Sequence, residues 1–112
     1  MSKRHDKDFL EDITVCLARI IDYTAGITYD EFLADLKTQD AIIRNIEVIG
    51  EASKQLSSEL KNSCPNIPWK MIAGTRDRLI HGYFGVNIDV IWEIASIDVP
   101  VLVEEINKIR GK

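Results

Sequence analysis

The chain has 112 residues, which is enough for a single domain with its own hydrophobic core, and we expect one domain over 1–112. Its 46% of hydrophobic and 29% of charged residues are typical of a soluble globular protein and exclude a disordered one. A net charge of −4 argues against a general nucleic-acid coat, but it leaves room for a small local cationic site. No apolar run approaches about 18 residues and the first residues are polar, so we expect a cytoplasmic protein without a membrane partner.

The first two segments read as helices. Apolar residues recur at helical spacing from Asp6 to Ala25, which predicts an amphipathic helix that stops near Gly26. Cys16 lies within this apolar stripe, so we expect a buried, reduced thiol. Thr28 and Glu31 then have the spacing of a capping box, which predicts the start of a short second helix.

The third segment has a regular apolar seam. Its members repeat at alternating steps of four and three residues, with one polar interruption at Ser53, and this predicts one long helix. The seam consists of Ile42, Ile46, Ile49, Ser53, Leu56 and Leu60.

Prolines organise the remainder of the chain. The loop Cys64–Trp69 contains two of them, and the second, Pro68, can be the first residue of a new helix. Asn87 can cap a final helix, which Pro100 should kink or split in two. With no strand-like alternation, the sequence predicts an all-α bundle of four or five helices.

One short stretch, RDRLIHGYF at 76–84, gathers titratable and cationic side chains. Asp77 and His81 are four residues apart and share a helical face, whereas Arg76 and His81 would lie about 140° apart on a regular helix. The two can converge if the helix loosens, if the long arginine reaches across, or if a second chain supplies the partner in a two-fold dimer.

The residue types in this stretch suit phosphodiester chemistry. Histidine can take and give a proton near neutral pH, arginine offers phosphate oxygens a fork of donors, and Asp77 can orient the imidazole. Since RNA carries its own 2′-hydroxyl nucleophile, this set can cleave RNA without a metal or cofactor and leave a 2′,3′-cyclic phosphate. A lone histidine near a helix end is nevertheless more often a cap or a surface group.

The pattern Arg76-x4-His81-x-Tyr83 resembles the RX4HXY signature of the HepT-like toxins, a branch of the HEPN superfamily. The similarity covers the chain from about Ala41 to Leu102, and Met1 to Asp40 shows no specific match. The blocks that carry it, in the family's order, are RNIEVIGEASKQL (44–56), IPWKMIAGTRDRLIHGYFGV (67–86) and NIDVIWEI (87–94).

The resemblance implies a fold, an activity and a regulator. HEPN proteins are helical bundles that dimerise through the motif helix, and their ribonucleases are metal-independent, with catalytic residues that correspond to Arg76 and His81. Asp77 corresponds to a supporting active-site residue. The family's antitoxin, a minimal nucleotidyltransferase of the MntA type, adds AMP to the tyrosine that corresponds to Tyr83.

The resemblance therefore predicts a homodimeric, or higher oligomeric, toxin whose substrate is RNA, tRNA being among the family's targets. Lys70, Arg76 and Arg78 from two chains would give a modest cationic patch of about six charges. Two alternatives stay open: a non-catalytic HEPN subunit that binds nucleotide or regulates a nucleotidyltransferase, and a structural helical oligomer in which Arg76 and His81 form interface ion pairs.

Overall fold

A computed structural model of the chain describes residues 4–79 and 87–110, and those residues form an all-α bundle without strands. This confirms the predicted fold class. Seven α-helices and one π-helical segment divide the described residues: α1 (Asp6–Thr24), α2 (Tyr29–Leu33), α3 (Leu36–Gln55), α4 (Ser58–Ser63), α5 (Trp69–Leu79), α6 (Ile88–Glu93), the π-helical segment (Ile94–Asp98) and α7 (Val99–Arg110).

The two longest helices, α1 and α3, pack against each other and form the centre of the bundle. Helix α5 packs on α3, while α7 and the π-helical segment pack on α1. The core is aliphatic along both long helices, and Cys16 is buried within it as predicted. Its fully or nearly fully buried members on α1 and α3 are Ile13, Leu17, Ile20, Ile42, Ile46 and Ile49.

The first turns follow the sequence signals closely. Helix α1 ends at Thr24, and Gly26 takes a φ of 75°, a left-handed conformation that a glycine adopts without steric cost. Thr28 then caps α2, since its hydroxyl accepts the Glu31 N–H and the Glu31 carboxylate accepts the Thr28 N–H. The predicted stop and the predicted capping box are both confirmed.

The predicted apolar seam breaks where it was expected to continue. Helix α3 ends at Gln55, and Leu60 lies in the separate helix α4. The cause is Ser57, whose hydroxyl caps α4 by accepting the Leu60 N–H and donates to the carboxylate of Asp6 on α1. These local and long-range hydrogen bonds compete with continued helix, as serine often does.

The C-terminal region is split, as Pro100 predicted. A proline cannot donate the backbone hydrogen bond that an uninterrupted helix requires, and the chain widens to a π-helical turn just before it. The Val99 N–H donates to the carbonyl of Ile94, five residues back, and α7 begins at Val99. Because the two breaks create α4 and α6, the described chain has more helical segments than the four or five expected.

Candidate active site

The motif helix α5 is anchored at its start by hydrogen bonds of the preceding loop. The indole N–H of Trp69 donates to the Cys64 carbonyl at 3.2 Å, and the Trp69 backbone N–H donates to the Ile67 carbonyl at 2.8 Å. Ile67 and Trp69 are both buried, and the Pro68 carbonyl accepts the Ile72 N–H. Pro68 therefore lies at the cap, one residue before the position predicted for it, and the loop fixes where α5 leaves the core.

Arg76 and Asp77 lie on α5, about two turns from its start. The sequence predicted a helix at both positions. His81 and Tyr83, the other two predicted site residues, lie outside the described residues. Whether the four side chains converge, and the role of each, stays a prediction.

Helix α6 begins seven residues after His81 in the sequence and is fixed by three kinds of contact. The Asn87 side chain accepts the backbone N–H groups of Asp89 and Val90, which confirms the predicted cap. The Tyr29 hydroxyl on α2 donates to the Asp89 carboxylate, which raises the pKa of that tyrosine. Trp92 packs against the Tyr29 ring, with the centroids 5.9 Å apart. The described chain is thus held firmly on both sides of the motif.

The Cys16 thiol shows no sign of a catalytic role. Burial raises the pKa of the Cys16 thiol, and a buried protonated thiol is a poor nucleophile.

Within residues 4–79 and 87–110, no three His, Cys, Asp or Glu side chains form a cluster suited to a metal ion. No helix in those same ranges is both long and apolar enough to cross a membrane.

Sequence reasoning missed one cationic feature beside the motif helix. Lys54, Lys61 and Lys70 line one surface groove, which we call the lysine groove. Only Lys70 had been assigned to a cationic patch, because the other two lie on separate helices and share no sequence spacing with it. No sequence signal was available, because the helix ends at which Lys54 and Lys61 lie depend on the unpredicted break after Gln55.

The described all-helical bundle, together with an Arg-x4-His-x-Tyr motif in the sequence, is characteristic of a protein of the HEPN class. The family model described as "Ribonuclease HepT-like" matches residues 13–109. The chain belongs to this family. The match begins well before Ala41, so it also covers most of the N-terminal segment for which the sequence showed no specific resemblance.

Curated relatives agree with this family. The chain is 49% identical to a Methanocaldococcus jannaschii protein named "Putative RNase", over 97% of this chain and 90% of that protein. It is 45% identical to the "Probable ribonuclease HepT" of Thermococcus cleftensis, over 96% of this chain and 98% of that protein. No solved structure matches the chain significantly.

Proposed function

We propose that this protein is a metal-independent endoribonuclease and the toxin of a HepT/MntA (type VII) toxin–antitoxin pair that acts in the cytoplasm. The observation that carries the proposal is the match to the ribonuclease HepT-like family over residues 13–109, which includes the complete Arg76-x4-His81-x-Tyr83 motif. Relatives that match this chain over nearly their whole length are named as ribonucleases, which supports the same activity.

The proposed reaction uses the substrate's own nucleophile. His81 takes the proton of an RNA 2′-hydroxyl, the 2′-oxygen attacks the adjacent phosphorus, and the bond from phosphorus to the 5′-oxygen breaks. Arg76 stabilises the charge that develops on the phosphate oxygens, and Asp77 orients the imidazole. The leaving 5′-oxygen takes up a proton, and the products are a 2′,3′-cyclic phosphate and a 5′-hydroxyl. RNA, with tRNA among the candidate targets, is the proposed substrate.

We further propose that the working unit is a homodimer formed along α5. Arg76 and His81 cannot both face one side of a regular helix, and an isologous contact would let one chain complete the other's site. An exposed apolar surface supports such a contact. Met71, on α5, and Val101, on α7, are 57% and 60% exposed and line the same groove.

Adenylylation of Tyr83 by an MntA-type nucleotidyltransferase is the proposed off-switch. Each added AMP would place bulk and negative charge two residues from His81, where a substrate phosphate would be repelled. Incubation with that enzyme and ATP should add the mass of AMP units to the wild type and to Tyr23→Phe, but not to Tyr83→Phe. Tyr23 is a matched control because it is an exposed tyrosine on α1 that lies 60 positions before Tyr83 in the sequence. Unchanged modification of Tyr83→Phe would refute the proposed site.

The activity is tested with purified protein, total RNA and EDTA. The wild type should cleave RNA, and His81→Ala should lose at least about 100-fold in rate because a general base typically contributes that much. The control is His5→Ala, since His5 is the chain's other histidine and is exposed at the start of α1. No cleavage by the wild type, with intact mass showing unmodified Tyr83, would instead favour the non-catalytic subunit.

A further inference from the structure

The lysine groove lies where three helix ends meet. Lys54 comes from the last turn of α3, Lys61 from the last turn of α4, and Lys70 from the first turn of α5. The groove has a volume of about 960 Å³ and opens beside the loop that Trp69 anchors. It is therefore a surface formed by tertiary structure and not a run of charges in sequence.

The charge of the groove is opposite to that of the protein. Its described lining has three lysines and no carboxylate, in a chain whose net charge is −4. Four other surface grooves of the described chain each include at least one carboxylate, among them Asp98 and Glu105 in the apolar groove beside Met71. A concave surface lined by one sign of charge concentrates the field that attracts an oppositely charged ligand.

Helix stability does not account for Lys70. Lys54 and Lys61 lie at helix C-termini, where a cation interacts favourably with the helix dipole. Lys70 lies in the first turn of α5, a turn that has no acidic residue and where the dipole disfavours a positive charge. An anionic ligand would provide the compensation that the fold itself does not.

One carboxylate near the groove is already engaged. Asp6 lies close enough to Lys61 for the lysine to contribute to lowering its pKa, but the larger causes are two hydrogen bonds from Ser57. Asp6 is not part of the described groove lining. Asp6 therefore weakens the positive potential around Lys61, but it does not line the groove.

The groove is continuous with the motif helix. Its lining residues from α5 are Trp69, Lys70, Met71 and Ala73, and Asp77 follows Ala73 by four residues along that helix. Lys70 and Asp77 are two turns apart, about 10 Å along the axis. A polyanion seated in the groove would thus pass within a few nucleotides of the motif.

We propose that the lysine groove binds the phosphodiester backbone of the RNA substrate beside the bond that is cleaved. This inference rests on the proposed ribonuclease function for the identity of the polyanion. Lysine side chains contact phosphates as point charges without reading bases, so the groove adds affinity and not sequence preference.

The test compares RNA binding by the wild type and by Lys54→Gln/Lys61→Gln/Lys70→Gln as a function of salt. The probe is a short mixed-sequence RNA with methylated 2′-hydroxyls, which cannot react. Each lost contact to a single strand should reduce the slope of log K against log [salt] by about 0.7, or about 2 for all three lysines. If the wild type and the variant bind RNA equally near 1 M salt, this difference in slope corresponds to about 100-fold weaker binding by the variant at 0.1 M salt.

The control is Arg19→Gln/Lys37→Gln/Lys108→Gln, which removes the same charge from exposed positions outside the lysine groove. Thermal unfolding of both triple variants should match the wild type, because exposed charges contribute little to stability. Cleavage at saturating RNA should also stay near wild type for the groove variant, with KM raised. Equal salt slopes and affinities for the two triple variants would overturn the proposal.

The outcomes separate this proposal from the proposed function. Cleavage that depends on His81, together with an unchanged salt slope in the groove variant, would refute the groove and leave the ribonuclease intact. A reduced slope without cleavage by the wild type would refute the ribonuclease and leave a nucleic-acid site. Wild-type RNA binding with loss of nucleotidyltransferase binding would reassign the groove to the protein partner and overturn the proposal.

Discussion

Asp6 and Ser57 form a side-chain contact that joins the start of α1 to the start of α4 across 51 positions of sequence. The Ser57 N–H donates to Asp6 Oδ1 at 2.8 Å, and the Ser57 hydroxyl donates to Oδ2 at 2.6 Å. These hydrogen bonds favour the carboxylate and lower the pKa of Asp6 below its ordinary value of 3.8. The same contact ends the apolar seam early, which explains why the one long helix predicted there is interrupted after Gln55.

The Asp6 contact gives a pH-dependent prediction. Because the folded-state pKa is depressed, its contribution to the free energy of unfolding is present above about 3.8 and is lost as the pH falls through the lower folded value. Urea unfolding of the wild type and Asp6→Asn should therefore differ near neutral pH, and the difference should shrink on acidification through that range. A difference that stayed constant down to the acid limit would contradict the role assigned to the carboxylate.

Among single residues, the sequence predicted those whose signal is local. Thr28, Asn87 and Pro100 each act within a few positions of themselves, so spacing alone was sufficient. The Tyr29–Asp89 hydrogen bond joins residues 60 positions apart, and nothing in either neighbourhood indicates the other. The predicted roles of His81 and Tyr83 rest on the family motif, since both lie outside the described residues.

At the scale of the helices, alanine substitutions of two glycines are expected to change the free energy of unfolding in opposite directions. Gly26 ends α1 with a φ of 75°, so Gly26→Ala should lower the free energy of unfolding by about 1 kcal/mol. Gly74 lies inside α5, and a Cβ built there meets no atom within 4 Å. Gly74→Ala should therefore raise the free energy of unfolding by about 0.5–1 kcal/mol, through better helix propensity.

Urea unfolding of both variants tests the glycine pair, and Gly26→Asn is the control because asparagine tolerates a left-handed conformation better than alanine. Destabilisation by Gly74→Ala would mean that something outside the described chain occupies the space beside α5. A neutral Gly26→Ala would mean that the turn after α1 relaxes freely.

The long elements were predictable and their breaks only partly so. Helical periodicity over many residues identified α1 and most of α3, because one apolar stripe must face the core. The break at Pro100 was expected from its missing N–H, although the sequence did not choose between a kink and a split. The break after Gln55 depends on a contact with α1. Helical periodicity within one segment carries no information about such contacts with a distant helix.

For the whole molecule, the all-α class followed from composition and periodicity. The lysine groove could not be predicted from the sequence, because it exists only where the ends of α3 and α4 meet the start of α5. A net charge of −4 conceals such a surface, since composition averages over all faces of the protein. Under the proposal that this groove binds RNA, the charge distribution and not the net charge determines the affinity for RNA.

The central claim is that this bundle cleaves RNA with the substrate's own 2′-hydroxyl. The most direct measurement uses one RNA in two forms, unmodified and with a 2′-deoxy nucleotide at the mapped cleavage position, each incubated with wild-type protein in EDTA. The account predicts that only the unmodified RNA is cut and that its product ends in a 2′,3′-cyclic phosphate. Equal cleavage of both forms, or cleavage only after a divalent metal is added, would contradict it.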